Sequence, residues 1–232
     1  MPPGEGIRVE LVEEERLSGA RPNLNRPARY RAIVNCGKPL PDMEVEIRGE
    51  NDEIKADHQI GKVWCRGPSI MHSYFRNEEA THDCLVPSTD GGGAWLDTGD
   101  MGYMANGYLF IVGRAKDMII INGKNHWPQD IEWAIEQLAG FKAGDIAAFA
   151  ITTPQGEESP AVLVQCRTSD PAERARIRDQ IKAKVKEMTG MSCVVELVPP
   201  RTLPRTSSGK LSRAKAKKQY LAGEIVPLDL AA

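Results

Sequence analysis

Between residues 31 and 116, apolar and polar side chains alternate in short bursts that are cut by turn-forming residues. "MEVEIRG" alternates cleanly, "IGKVWCRG" does so roughly, and "GYLFIVGR" is a short apolar run between glycines. A period of two over a few residues marks half-buried strands. No helical stripe longer than two turns interrupts them, so this stretch predicts a small all-β unit, with "STDGGGAW" as a loose turn between strands. Ahead of it, "IRVELVE" predicts a strand and "SGARPNLNRPARY" an irregular connector.

The pattern changes after Asp117. "DMIIINGKNHW" reads as two short extended pieces around an Asn-Gly turn. "PQDIEWAIEQLAGF" then predicts a helix, with Pro128 at its first position, an apolar stripe of Ile131, Ala134, Ile135 and Leu138, and Gly140 as its stop. "DIAAFAITT" and "PAVLVQCRT" predict strands. "DPAERARIRDQIKAKVKEMTG" predicts a second helix, capped by Asp170, opened by Pro171 and closed by Gly190. "CVVELVP" is a further strand, followed by "PRTSSGKLSR" and a basic helical tail, "RAKAKKQYLAGE". The order β-β-α-β-β-α-β-loop describes a compact α+β module. Two units therefore meet at Asp117, residues 1–116 and 117–232. The first is expected to be a β-rich, distorted barrel-like subdomain, the second an α+β domain with a central sheet flanked by helices.

Composition narrows the classes. Hydrophobic residues make up 41% and charged residues 27%, as in ordinary globular proteins. A net charge of −2 gives no general reason to expect a nucleic-acid partner. No run approaches the roughly 18 apolar residues of a membrane span. The opening residues lack a cationic start followed by an apolar stretch, so they do not read as a secretory signal. The five cysteines, Cys36, Cys65, Cys84, Cys166 and Cys193, are widely spaced with no CxxC pair, which fits reduced thiols and a cytoplasmic location. The four histidines make no metal-ligand spacing, and no metal site is expected.

Three stretches carry candidate chemistry. In "WLDTGDMGYMANGYLFIVGRAKD", two antiparallel strands would bring Asp100 and Arg114 to one edge. A carboxylate can accept two hydrogen bonds from a ribose diol, and arginine offers a rigid fork to hydroxyls or phosphate. The same pair could equally be a surface Asp–Arg contact of little energetic weight. Lys210 follows a Thr-Ser-Ser-Gly run. Its compact cation suits a phosphoryl or carboxylate oxygen that is gaining charge, or it merely decorates a surface loop. The glycines at 91–93 lack the GxxxxGK[ST] spacing and precede a strand, so they read as a turn. "RAKAKKQY" reads as a solvated helix face, with a polyanion-binding face as the alternative.

In order, TGD (98–100), GR-x-KD (113–117), "INGKNHWPQDIE" (121–132) and "PRTSSGKLSR" (204–213) resemble the motifs of the adenylate-forming enzymes. These include acyl-CoA synthetases, peptide-synthetase adenylation domains, luciferases and fatty acyl-AMP ligases. The resemblance implies a ribose-binding role for Asp100 and a nucleotide contact for Arg114. It also implies a hinge at Asp117 and a catalytic lysine at Lys210, which bridges acyl carboxylate and α-phosphate during adenylation. ATP and Mg2+ would be the cofactors of the complete enzyme, with none held tightly by this chain. The phosphate-binding loop, adenine-contacting motif and acyl tunnel of such enzymes have no counterpart here. The chain is therefore expected to be the end of a larger domain plus a mobile C-terminal domain, inactive without the missing N-terminal portion.

"VNCGKPLPDMEVEI", "GKVWCRGPSIMHSYFRNEEAT" and "KDMIIINGKNHWPQDIE" look most like the fatty acyl-AMP ligases, as does the polar segment 7–31, where those ligases carry an insertion. That branch implies a fatty acid and ATP as substrates and the phosphopantetheine of an acyl carrier protein as acceptor. The alternatives are a fragment of an acyl-CoA synthetase, with CoA as acceptor, and a non-catalytic module that binds a carrier protein. Two departures from the family pattern stand out: Asp97 replaces a basic residue, and His126-Trp127 replaces His-Tyr.

Overall fold

The alternating bursts of the first half are strands in the computed structural model, which describes residues 8–17, 30–121, 123–138, 140–153 and 156–229. Two compact units divide the chain, Met1–Lys116 and Asp117–Ala232.

The first unit opens with β1 (Val9–Glu13), a single helical turn α1 (Glu14–Leu17) and β2 (Tyr30–Val34). β1 and β2 pair antiparallel, from Val9 opposite Val34 to Glu13 opposite Tyr30. About half of the expected insertion, residues 18–29, lies outside the described residues. A five-stranded antiparallel sheet follows: β3 (Glu44–Arg48), β4 (Gly61–Arg66), β5 (Leu85–Pro87), β6 (Ala94–Ala105) and β7 (Tyr108–Arg114). Its order is β3-β4-β6-β5, and β7 also pairs with β6. The long strand β6 has β4 on one edge and β5 and then β7 on the other, while β3 pairs only with β4. The sheet therefore stays open. No closed barrel forms among the described residues, as suits a distorted, barrel-like β subdomain. One helix, α2 (Glu78–Cys84), stands between β4 and β5, with the Asn77 side chain accepting from the Ala80 N–H as its cap.

Aromatic rings and paired charges fill this unit. Tyr103 is fully buried and stacks on Phe110 at 5.0 Å between ring centres. Arg48 lies over both Trp64 (4.8 Å) and Trp95 (4.7 Å), and Arg66 lies over Trp95 at 4.6 Å. The Arg66 fork grips Glu44 at 3.0 and 2.8 Å, and its Nη1 donates to Asp90 at 2.8 Å.

The second unit runs β8 (Ile119–Ile121), β9 (Lys124–His126), α3 (Pro128–Glu136), β10 (Ile146–Thr152), β11 (Glu158–Gln165), α4 (Pro171–Thr189), β12 (Val194–Val198) and α5 (Arg213–Leu221). β8 and β9 form an antiparallel pair; Asn122 of the expected turn is not among the described residues. The main sheet has the order β10-β11-β12, with β12 parallel to β11 after the α4 crossover. Both of its faces are covered, which explains why its strands read as near-continuous apolar runs. Ile146, Ala148, Val162 and Val164 pack toward α3 and α4, while Ala147, Phe149, Ala161 and Leu163 pack toward α5. The α4 ends are as the sequence predicts. The Asp170 carboxylate accepts from the Ala172 N–H, and Gly190 closes the helix at φ 77°. α3 stops at Glu136, a turn before Gly140.

Candidate functional site

In the first unit, Asp100 and Arg114 stand directly opposite each other on β6 and β7. Arg114 Nε donates to Asp100 Oδ1 at 2.9 Å, and Nη2 donates to the Thr98 carbonyl at 2.8 Å. Local backbone chemistry sets this geometry. Gly99 takes a left-handed φ of 72°, its N–H donates to Asp97 Oδ1 at 2.8 Å, and the Asp100 N–H reaches Thr98 Oγ1 at 3.1 Å. Asp97 thus holds the TGD turn rather than standing as a free charge. Thr98 is itself pinned, donating its hydroxyl to the Val63 carbonyl at 2.7 Å. The side chains of Arg114 and Asp100 remain 59% and 35% exposed, enough to meet a ligand. The carboxylate keeps acceptor capacity for a diol, and the guanidinium keeps free N–H groups.

Lys210 is exposed in the second unit. The surface loop that carries it is ordered by its own backbone. Thr206 N–H donates to the Lys210 carbonyl at 2.8 Å, Gly209 N–H to the Thr206 carbonyl at 2.9 Å, and Ser212 N–H to the Pro204 carbonyl at 3.0 Å. With Arg205 bridged to Leu211, residues 204–212 form a tight hairpin. Arg205 braces it from one side, donating to the carbonyls of Gly209 and Gly144 at 3.0 Å each.

Asp117, the first residue of the second unit, accepts from Arg213 Nη1 at 3.3 Å. Arg213 also makes a two-point fork with Glu132, Nε to Oε1 at 2.7 Å and Nη2 to Oε2 at 2.6 Å. Glu132 is 5% exposed, and its Oε1 also accepts the Ala148 N–H at 3.0 Å on edge strand β10. Burial pushes the Glu132 carboxyl up, against the pull of Arg213 and that N–H, while its hydrogen bonds to Glu132 push the Arg213 guanidinium up. Sequence reasoning missed this cluster. Glu132 lies four residues after Pro128 and three before Ile135, both buried, so the stripe of α3 already contained it. Arg213, the first residue of the basic tail, points inward, while Lys215 and Lys218 of the same run stay exposed. Ala216 of the same helix is buried as well.

The Asp100–Arg114 edge sets a carboxylate acceptor beside guanidinium donors, both open to solvent. A triphosphate with its Mg2+ has no cradle among the described residues: the Gly92 N–H closes a turn on Asp90 at 2.8 Å, and no cluster of three His, Cys, Asp or Glu side chains could hold a cation.

Residues 123–218 match the family described as AMP-binding enzyme C-terminal domain, and the chain is similar along nearly its whole length to acid-activating ligases. It is 42% identical over 226 residues to a Caulobacter vibrioides protein bearing the name acyl-CoA synthetase, matching 96% of this chain and 38% of that protein. It is 32% identical to the medium-chain-fatty-acid–[acyl-carrier-protein] ligase JamA of Moorena producens, over 96% of this chain and 39% of JamA. Among solved structures, a fatty acyl-adenylate ligase from a study of the E. coli and L. pneumophila enzymes superposes with a TM-score of 0.80 at 38% identity, covering 94% of this chain and 38% of that one. The chain thus spans about two fifths of the length of its curated relatives.

Proposed function

We propose that the chain is the carboxy-terminal part of a fatty acyl-AMP ligase. In the complete enzyme a fatty-acid carboxylate oxygen attacks the α-phosphorus of ATP, and pyrophosphate leaves. The phosphopantetheine thiol of a carrier protein then attacks the acyl carbonyl, and AMP leaves. Asp100 would accept hydrogen bonds from the ribose diol, and Arg114 would hold the carboxylate in place and face the nucleotide. Lys210 would offset charge that builds on the acyl and α-phosphate oxygens as the bond forms, a role that repays preorganisation. Mg2+ would travel on the triphosphate, and Asp117 would serve as the hinge of a mobile C-terminal domain.

The observation that carries this reading is the in-register Asp100–Arg114 pair, tied by a 2.9 Å hydrogen bond yet open to solvent. The names of the relatives support fatty acids as the substrate class. An acyl-CoA synthetase is the second reading, favoured by the name of the 42%-identical relative. The two are separated by giving the complete enzyme a fatty acid and ATP, then either CoA or a holo carrier protein. Acyl-adenylate formation with transfer to the carrier and poor use of CoA is expected. Efficient acyl-CoA synthesis would overturn the AMP-ligase reading. The chain alone is expected to release no pyrophosphate, because most of the in-line positioning of ATP is missing.

A further inference from the structure

We propose that Arg213 is the positioning residue of the Lys210 hairpin, with Glu132 as its anchor; this rests on the adenylating role of Lys210 given above. A long, solvated lysine side chain stabilises a transition state only when its backbone is held near the reacting atoms. The hairpin carrying Lys210 leaves the sheet after β12 and is braced at one end by Arg205 on Gly144. Its other end runs directly into α5, and Arg213 at the first position of that helix is three residues from Lys210.

Arg213 is fixed with more bonds than its neighbours. Two short donors grip Glu132 and a third reaches Asp117. Glu132 in turn sits in the α3 stripe between Ile131 and Ile135, both nearly inaccessible, and is tied to β10 through the Ala148 N–H. The fork thus transmits the position of the packed α3–β10 layer to the foot of the hairpin. A buried ion pair of this kind is weak evidence for stability, because apolar replacements of both partners are often neutral. Its geometry is what an apolar pair would not reproduce. Lysine at 213 would keep the charge but lose the planar two-point grip.

The test uses the complete enzyme and reads both half-reactions. Arg213→Lys, and the double variant Glu132→Gln/Arg213→Met, which keeps an acceptor for the Ala148 N–H, should lower kcat for fatty-acid-dependent pyrophosphate release by roughly 10²-fold. KM for ATP should stay within about threefold, since the ribose contacts are untouched. Transfer from preformed acyl-adenylate should change far less. A kcat within about twofold of the parent, or an equal loss in both half-reactions, would overturn the positioning role. If the parent enzyme makes no acyl-adenylate, the functional reading falls, and amide exchange in the 232-residue chain still decides this one. Arg213→Met should speed exchange at Thr206, Gly209 and Ser212 while leaving Leu163 of β11 unchanged. Unchanged hairpin exchange would overturn the proposal.

Discussion

The two units hold their chemically interesting side chains in different ways. In the β unit, Asp100 and Arg114 are 14 residues apart and meet because adjacent antiparallel strands place them in register. In the α+β unit, the Lys210 hairpin depends on Arg213, whose anchor Glu132 is 81 residues away in sequence. The interiors differ to match. Rings interleaved with guanidinium groups fill the first, as in the Arg48, Trp64 and Trp95 stack. The second is a mainly aliphatic core on both faces of a three-stranded sheet, with Glu132 as its one buried carboxylate among the described residues. A site built on a strand ladder is local and tolerant. A site built on a loop needs a remote clamp.

The largest expected effect would break the comparison at its core. Ile135 is fully buried between α3 and the sheet, so Ile135→Ala should cost about 2–5 kcal/mol through lost burial and the cavity left behind. If each unit is stabilised by its own interior, the loss falls on one of them. Amide exchange should accelerate in β10, β11 and β12 and stay unchanged in β4 and β6. Equal acceleration in both sets would show that the units unfold together, and the contrast between their cores would lose its energetic meaning.

The same contrast explains what could be read from the sequence. Period-two alternation in "MEVEIRG" and the capped, 3.6-period run from Asp170 to Gly190 each encode their element within a short window, and both formed where the pattern put them. The Asp100–Arg114 edge was legible for the same reason: a hairpin's register is local information. The strand order was not legible, since it depends on which strands β6 accepts on each edge, and no single strand encodes that. α2 was missed because its seven residues bury no side chain and so leave no apolar stripe. Glu132 was passed over although it lay on the apolar face of α3, because its partner is on α5 and nothing nearby reveals the pairing. The order of the hairpin at 204–212 was hidden by its composition. Thr, Ser and Gly suit a tight turn as well as a loose loop, and the difference lies in the Arg205 and Arg213 braces.

A smaller effect sharpens the local side. Gly99 holds φ 72°, and a Cβ there would approach Arg114 Nη2 at 3.4 Å. Gly99→Ala should cost about 1–2 kcal/mol from the left-handed backbone alone. The added methyl is in ordinary contact with the guanidinium, so the strain falls on the turn that aims Asp100. Exchange at Asp100 and Met101 should rise, and thermal unfolding of the β unit should shift down, with the α+β unit unaffected. Parental exchange at these amides in the Gly99→Ala variant would show that the turn does not depend on glycine.

The smallest effect is a separation of the two units by acid. His126 of β9 is held below the ordinary histidine value of 6.5, first by burial and then by the Lys124 charge. Between that ordinary value and the lowered one, the unfolded chain binds more protons than the folded one. The α+β unit therefore loses stability as pH falls through this window and regains it as pH rises. Asp90 in the β unit behaves oppositely in range. Hydrogen bonds from Arg66, Ser88 and the Gly92 N–H hold its carboxyl well below the usual carboxylate value. Its contribution is fully present above the ordinary carboxylate range and is lost only as pH falls through the lowered value. From about pH 7.5 to 5.5, then, His126 should lower the urea midpoint of the α+β unit, against the opposing pull of the upward-shifted Glu132 and Glu196 carboxyls, while that of the β unit holds. Pulsed amide exchange at one fixed labelling pH reads the two midpoints separately. His126→Leu should remove the acid-side loss from the pH dependence of the α+β unit without touching the β unit. If both units weaken in parallel and the variant still shows the slope, the acid sensitivity belongs to some other group, and the difference between the two interiors does not extend to their protonation.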